Sequence, residues 1–295
     1  MFIAKLINKI TSNFSILLRR WSVSFSELYH IPGLIKVLKL INDINPEIVV
    51  VTVAFNHPEF IDVQLKEMNE LCIDPYISLI ADNSDDRRAR KEIRRVTEIN
   101  GGLYLSLPLN PHNGTSFYSG SHGWALNYVY KNVLQKLRNK QIIFMTMDHD
   151  LFPFKSFSIK GMLGKSSCYG CVQERDNGWY YWPGFSIYNV NMVGDSIDFM
   201  PCDGLDTGGS IYLNYLRHFD KQLFRRATER KVFIYDDLLK MNNEHEFEIT
   251  DQSSYIWIIN ESFVHIIDGS NWSKNEVNSI KVKYVLDLLQ AYKGD

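Results

Sequence analysis

Three residues, Asp148-His149-Asp150, follow an apolar run from Ile142 to Met147. Residues i and i+2 of a strand point to the same face, so the spacing predicts two carboxylates side by side. Like charges at that distance push one carboxyl towards its protonated form unless a cation sits between them. The pair therefore either binds a metal or marks a strand running out into water. As a metal site it presents hard oxygen ligands, which suit Mn²⁺ or Mg²⁺ and not a thiophilic ion. A cation held by so few carboxylates fills its shell with water and phosphate oxygens. Its natural partner is a diphosphate, whose departure it assists by offsetting negative charge. Other phosphate chemistries are disfavoured. The chain has no GxxxxGK[ST] loop, and no GxGxxG follows its first strand, which argues against a P-loop enzyme and a dinucleotide-binding Rossmann domain.

The elements around the pair must place it. "EIVVVTVAF" is a continuous, β-branched apolar run, as in a central parallel strand. "HPEFIDVQLKEMNELC" carries a helical apolar stripe with Pro58 in its first turn. "PYISLIADNSDD" reads as a second strand, and "RRARKEIRRVTEING" as a charged surface helix closed by Gly101. "LYLSLPLN" is a third strand. The polar loop "PHNGTSFYSGSHG", the helix "WALNYVYKNVLQKL" and the strand ending in Asp148 complete a βαβ series. Such a series predicts a mostly parallel sheet with helices on both faces. Ligands of such sheets bind outside the carboxyl ends of the strands. Those ends are Phe55-Asn56, Asp82-Asn83, the loop after Asn110, and Asp148 to Asp150. Residues 1–45 read as a helical extension broken near Pro32-Gly33, residues 46–154 as the half that holds the parallel sheet, and 155–295 as a second half with a C-terminal helix. Short aromatic strands in that second half are built around the sheet of the first.

At four places the chain resembles the GT-A glycosyltransferases, particularly the family 2-like group. "VVVTVAFNHPEFIDVQLKEM" is similar to their first strand, nucleotide-facing loop and helix. "ISLIADNSDD" resembles the second strand, "LNPHNGTSFYSGSHGWALNYVY" the Asn/Gly loop and helix before the metal strand, and "IIFMTMDHD" the strand ending in the DxD motif. The resemblance covers residues 46–154, and it implies that this is the nucleotide-sugar-binding half and 155–295 the acceptor-binding half. It implies the nucleotide-diphospho-sugar transferase fold, with a mostly parallel central sheet and flanking helices. It implies a metal-dependent hexosyl transfer from a nucleotide sugar, a UDP-sugar, to a glycan or lipid-linked acceptor in surface polysaccharide synthesis. It also implies roles. Asp150 binds Mn²⁺ or Mg²⁺ directly, and Asp148 meets the ribose or the metal. Phe55 and Asn56 line the base pocket, Asp82 contacts base or ribose, and Asn113 and His122 lie near the diphosphate or sugar. In "FVHIIDGSNW", His265 matches the late histidine that completes such metal sites; read alone, it is equally a structural histidine.

An inverting transferase needs a general base for the acceptor hydroxyl. "PCDGLDTGG" offers Asp203 and Asp206, although Asp206 could instead cap the helix that follows. "YDD" adds Asp236 and Asp237; a retaining reaction would need none of them. The run Trp179-Tyr180-Tyr181-Trp182 could stack on a sugar, with half of it in the core. A sugar nucleotidyltransferase is the competing enzyme, but its glycine-rich loop is missing from "AFNHPEF". A non-catalytic nucleotide- or glycan-binding relative would keep the pocket without needing Asp150.

Bulk properties agree with an ordinary globular chain. The protein has 295 residues, of which 45% are hydrophobic and 22% charged, with a net charge of −2. Nothing there suggests nucleic acid as a partner. Cys168 and Cys171 form a CxxC without the second pair that a structural zinc site needs, and read as buried thiols. No run is apolar and long enough to span a membrane, which points to a cytoplasmic protein. In residues 1–21, Ile3, Leu6, Ile7, Ile10, Phe14, Leu17, Leu18 and Trp21 recur at helical spacing among Lys5, Lys9, Arg19 and Arg20. That segment could lie on the inner face of an anionic membrane, or pack on its own domain or a partner subunit.

Overall fold

The computed structural model describes residues 28–112, 117–139, 141–242, 248–250, 254–267 and 276–292. Asn113, residues 1–21 and Asp268 lie outside them. The order begins with α1 (28–44). It continues with β1 (Ile48–Ala54), α2 (Pro58–Leu71), β2 (Ile77–Asp82), α3 (Arg87–Ile99), β3 (Leu103–Ser106), α4 (Tyr118–Asn132) and β4 (Ile143–Asp148). There follow β5 (Leu151–Pro153), α5 (Ile159–Leu163), β6 (Cys168–Arg175), β7 (Gly178–Asn189), α6 (Val190–Val193) and α7 (Gly209–Asn214). The last are β8 (Arg225–Arg226), β9 (Glu229–Phe233), α8 (Tyr235–Met241), β10 (Tyr255–Ile259), β11 (Phe263–His265) and α9 (Glu276–Ala291).

A seven-stranded sheet, in the order β3-β2-β1-β4-β7-β6-β8, forms the centre. β3, β2, β1 and β4 run parallel, and β7 then joins β4 antiparallel. This is the mixed α/β architecture, with a mostly parallel sheet, that the βαβ series predicts. β1 is an interior strand between β2 and β4 and all seven of its residues are buried, which is why the run is apolar apart from Thr52. Val49, Val51 and Val53 pack with Phe144 and with α1 and α4 on one face. Ile48 and Val50 pack with Met145, Met147 and Phe185 on the other. A second, antiparallel sheet, β5-β11-β10-β9, packs against α8 and α9. β5, from the first half of the chain, is an edge strand of this second sheet, so the two halves interlock.

Three local expectations are corrected. Residues 28–44 form one continuous helix through Pro32 and Gly33; burial of Leu34, Val37, Leu38 and Ile41 on the first core outweighs the local break signal. α4 begins at Tyr118, so His122 sits on a helix and not in the loop before it. Asp236 and Asp237 belong to the first turn of α8, where acids suit the helix dipole. α3 is the charged surface helix expected, N-capped by Asp86, which accepts bonds from the amides of Arg88 and Ala89. Its cations are paired in part, Arg94 with Glu98 and Arg95 with Glu92.

Cys168 and Cys171 are free, buried, and belong to the cores on opposite faces of the sheet, so they cannot hold one ion together. Burial pushes the Cys168 thiol up to about 12, and raises Cys171 well above its ordinary range. Alkylation of the native protein at mildly alkaline pH is therefore expected to spare both while modifying the partly exposed Cys202. Peptide mass spectrometry reads the outcome; rapid labelling of Cys168 or Cys171 would contradict this packing. No helix among the described residues is long and apolar enough to cross a membrane.

Candidate active site

Parallel register brings the strand ends to one edge. Val53 pairs with Asp148, Ala54 with Asp82, and Asp82 with Ser106. Asp148 lies on the same face of β4 as Phe144, the side covered by α4, and so meets His122: Nε2 is 3.6 Å from Asp148 Oδ1. β4 ends at Asp148, and residues 149 and 150 form a turn into β5. That turn, and not strand alternation, carries Asp150 to its place. There the amide of Ile266 donates to the Asp150 carbonyl, and His265 pairs across from Leu151. His265 Nε2 consequently lies 3.3 Å from Asp150 Oδ1.

Asp148, Asp150 and His265 each offer a ligand atom, and these atoms lie within 4.8 Å of one another. The side chains of Asp150 and His265 are 5% and 9% exposed, whereas that of Asp148 is 24% exposed. The group is thus closed behind and open in front. Burial pushes the Asp148 carboxyl above its ordinary range; the His122 imidazole opposes this and the Asp150 carboxylate adds to it. Burial also acts to raise Asp150, but the facing His265 outweighs it and holds that carboxyl below its ordinary range. His265 Nδ1 is buried without a hydrogen-bond partner among the described residues, and the ring rests against Trp182, centroids 4.7 Å apart. Two carboxylates and an imidazole in this arrangement fit a Mn²⁺ or Mg²⁺ ion.

His149 turns the other way. Its ring packs near Phe60, at 5.7 Å, and its Nδ1 accepts the Phe55 amide proton at 3.2 Å. Burial pushes its pKa down to about 4, which keeps the ring neutral and able to accept. The turn that carries Asp150 and the loop after β1 are thereby tied together. Asn56 follows in the left-handed region at φ +57, with its amide on Ser84 Oγ (2.8 Å) and its Nδ2 on Asp85 Oδ1 (2.6 Å).

Asp82 reaches the same edge, but its residue is fully buried. Oδ1 accepts from the Ser84 amide and Oδ2 from the Tyr104 hydroxyl. The exposed carboxylate beside Asn56 is Asp85. Asn110, which the sequence marks only as the start of a loop, has a bracing role. It is 2% exposed, and its Nδ2 bridges Asn83 Oδ1 and the carbonyl and hydroxyl of Ser121, fastening β2 and the loop after β3 to α4. An Asn shortly after a strand end was the available signal.

From the second half, the Asp206 carboxylate adds a smaller like-charge contribution to the rise at Asp148. It is not the cap of α7: Gly208, at φ +93, occupies that position, and Asp206 Oδ1 takes the Thr207 amide instead. Thr207 in turn bonds the Ser119 carbonyl in α4. Asp203 sits in the two-residue turn between Cys202 and Leu205, exposed, at φ +47. Of the aromatic run, Trp179, Tyr180 and Tyr181 are buried, more than the half expected; Trp179 and Tyr181 belong to the first core, where Trp179 packs against Tyr212 of α7 and Phe224. Trp182 alone remains partly open, beside His265.

No family model and no curated protein matches this sequence. Among solved structures the chain is similar to a mannosyltransferase, PcManGT from Pyrobaculum calidifontis in complex with GDP-Man and Mn²⁺. The identity is 13%, over 70% of this chain and 68% of that one, at a TM-score of 0.42. It is similar to the galactosyltransferase LgtC in complex with donor and acceptor sugar analogs, at 10% identity over 69% and 81% of the two chains and a TM-score of 0.39. It is also similar to TarS of S. aureus, at 15% identity over 57% of this chain and 34% of that one, with a TM-score of 0.37.

Proposed function

We propose that the protein is a metal-dependent glycosyltransferase of the GT-A type. It would move a hexose from a UDP-sugar to a glycan or lipid-linked acceptor, in surface polysaccharide synthesis. One observation carries this reading: Asp148, Asp150 and His265 converge within 4.8 Å at the carboxyl edge of the sheet, closed behind and open in front. Asp150 and His265 hold the cation, and Asp148 faces the ribose or completes the cation's shell. Bound there, Mn²⁺ or Mg²⁺ supplies compensation for the charge on the leaving diphosphate.

The remaining roles follow from position. Phe55 and Asn56 line the base pocket. Because both oxygens of Asp82 are used internally, Asp82 braces the pocket floor and the exposed Asp85 takes its place at the surface. His122, beside Asp148, serves the diphosphate or sugar; the resemblance implies the same of Asn113, which lies outside the described residues. Asp206 takes the proton of the acceptor hydroxyl, and Trp182 offers a ring face to a sugar. Residues 1–21 would hold the enzyme on the inner face of a membrane, near a lipid-linked acceptor.

The test is a panel of nucleotide sugars incubated with the protein and Mn²⁺, followed by assay of released nucleoside diphosphate. One donor is expected to be consumed, with activity lost to EDTA and restored by Mn²⁺. No release from any donor, or release indifferent to EDTA, would refute the proposal.

A further inference from the structure

Gln64 is a polar residue within the buried face of α2, among Phe60, Ile61, Leu65 and Met68, and it is only 1% exposed. Its amide nitrogen donates to two backbone carbonyls, those of Asp148 and Leu151, each at 2.7 Å. Its amide oxygen accepts the Thr52 hydroxyl, also at 2.7 Å. Carbonyls only accept, so the nitrogen must face them and the oxygen must face Thr52; the network allows a single orientation of the amide. The two carbonyls bracket the His149-Asp150 turn, one on the residue before it and one on the residue after.

We propose that Gln64 is a positioning residue of the metal site. The carboxylates of Asp148 and Asp150 repel each other until a cation arrives, and that repulsion favours opening of the turn that carries Asp150. Gln64 opposes this by holding both ends of the turn from a rigid helix, which fixes the spacing and direction of the two carboxylates in advance. Outer partners of this kind typically change metal affinity when removed. α2 also follows the nucleotide-facing loop directly, so the same side chain couples the donor pocket to the metal turn. This inference rests on Asp148, Asp150 and His265 being a metal site.

The test compares Gln64→Met and Thr52→Val in the full chain. Mn²⁺ affinity in the presence of UDP is followed by electron paramagnetic resonance, and thermal stability is measured alongside. Both variants leave a buried polar group without its partner, so both are expected to melt earlier. Gln64→Met is expected to weaken Mn²⁺ binding about 10- to 100-fold. Thr52→Val, which leaves the two carbonyl bonds in place, should change it less than about 3-fold, well short of the loss expected for an outer ligand. Gln64→Glu keeps the length of the side chain but loses the paired donors. It should match the methionine variant and substitutes for it if that variant does not fold. Wild-type affinity in the Gln64 variants, or equal weakening by Thr52→Val, would overturn the inference and leave Gln64 a purely structural residue. Failure of the wild-type protein to bind Mn²⁺ with UDP would instead overturn the metal site itself, and is read before any variant.

Discussion

Replacing Asp150 by asparagine is expected to cost about a thousandfold in metal-dependent turnover of the donor, since compensation of diphosphate charge contributes several kcal/mol and each 1.4 kcal/mol is tenfold. The substitution keeps the shape of the side chain and the backbone bond from Ile266 to the Asp150 carbonyl. It removes the carboxylate from a pair whose mutual repulsion already raises Asp148, and it takes away the charge facing His265. These two effects oppose each other, so stability should change by no more than about 2 kcal/mol, the scale of one hydrogen bond to a charged group. The diagnostic pattern is a large loss of turnover and metal affinity with little change in melting temperature. An Asp150→Asn protein as active as wild type, at the same Mn²⁺ concentration, would remove this residue from the site.

Asp206→Asn is expected to lower turnover about 10²- to 10⁴-fold, the usual contribution of a positioned general base. Donor and metal binding should persist, because Asp206 touches neither Asp150 nor His265 in the arrangement described. Asparagine keeps an oxygen for the Thr207 amide, so the loop that bonds to the Ser119 carbonyl is preserved. Asp203→Asn serves as the control. It lies in the exposed turn before Asp206 and should leave turnover within about twofold, against the 10²-fold or greater loss expected of a base. Unchanged turnover in Asp206→Asn would assign the proton to another group, or the reaction to a retaining course that needs no such base.

Much of the frame was legible because it depends on patterns that survive folding. The buried β1 run, the βαβ order and the position of Asp148 at a strand end follow from apolar periodicity and from the parallel register. What escaped depends on contacts between distant residues. The two carboxylates come together through a turn after β4, not through strand alternation, although the spacing predicted the same neighbours. His265 meets Asp150 only because β11 pairs with β5, a contact no local pattern encodes. Gln64 was hidden for the opposite reason, a polar residue in a helix read only for its apolar stripe. Asp82 shows a further limit, since its place at the sheet edge was legible but not the Tyr104 and Ser84 bonds that occupy its oxygens. The burial of the aromatic run likewise depends on distant residues, Tyr212 and Phe224, that cover Trp179.

If Asp148, Asp150 and His265 form a cation site that works together with a nucleoside diphosphate, nucleotide and metal must bind cooperatively. Calorimetric titration of UDP and of GDP into the wild-type protein, with and without Mn²⁺, measures that coupling. Binding of UDP that is strengthened at least tenfold by Mn²⁺, and that returns to its metal-free value in Asp150→Ala, is the result predicted; tenfold corresponds to about 1.4 kcal/mol. Nucleotide binding that ignores Mn²⁺, or no nucleotide binding at all, would contradict it.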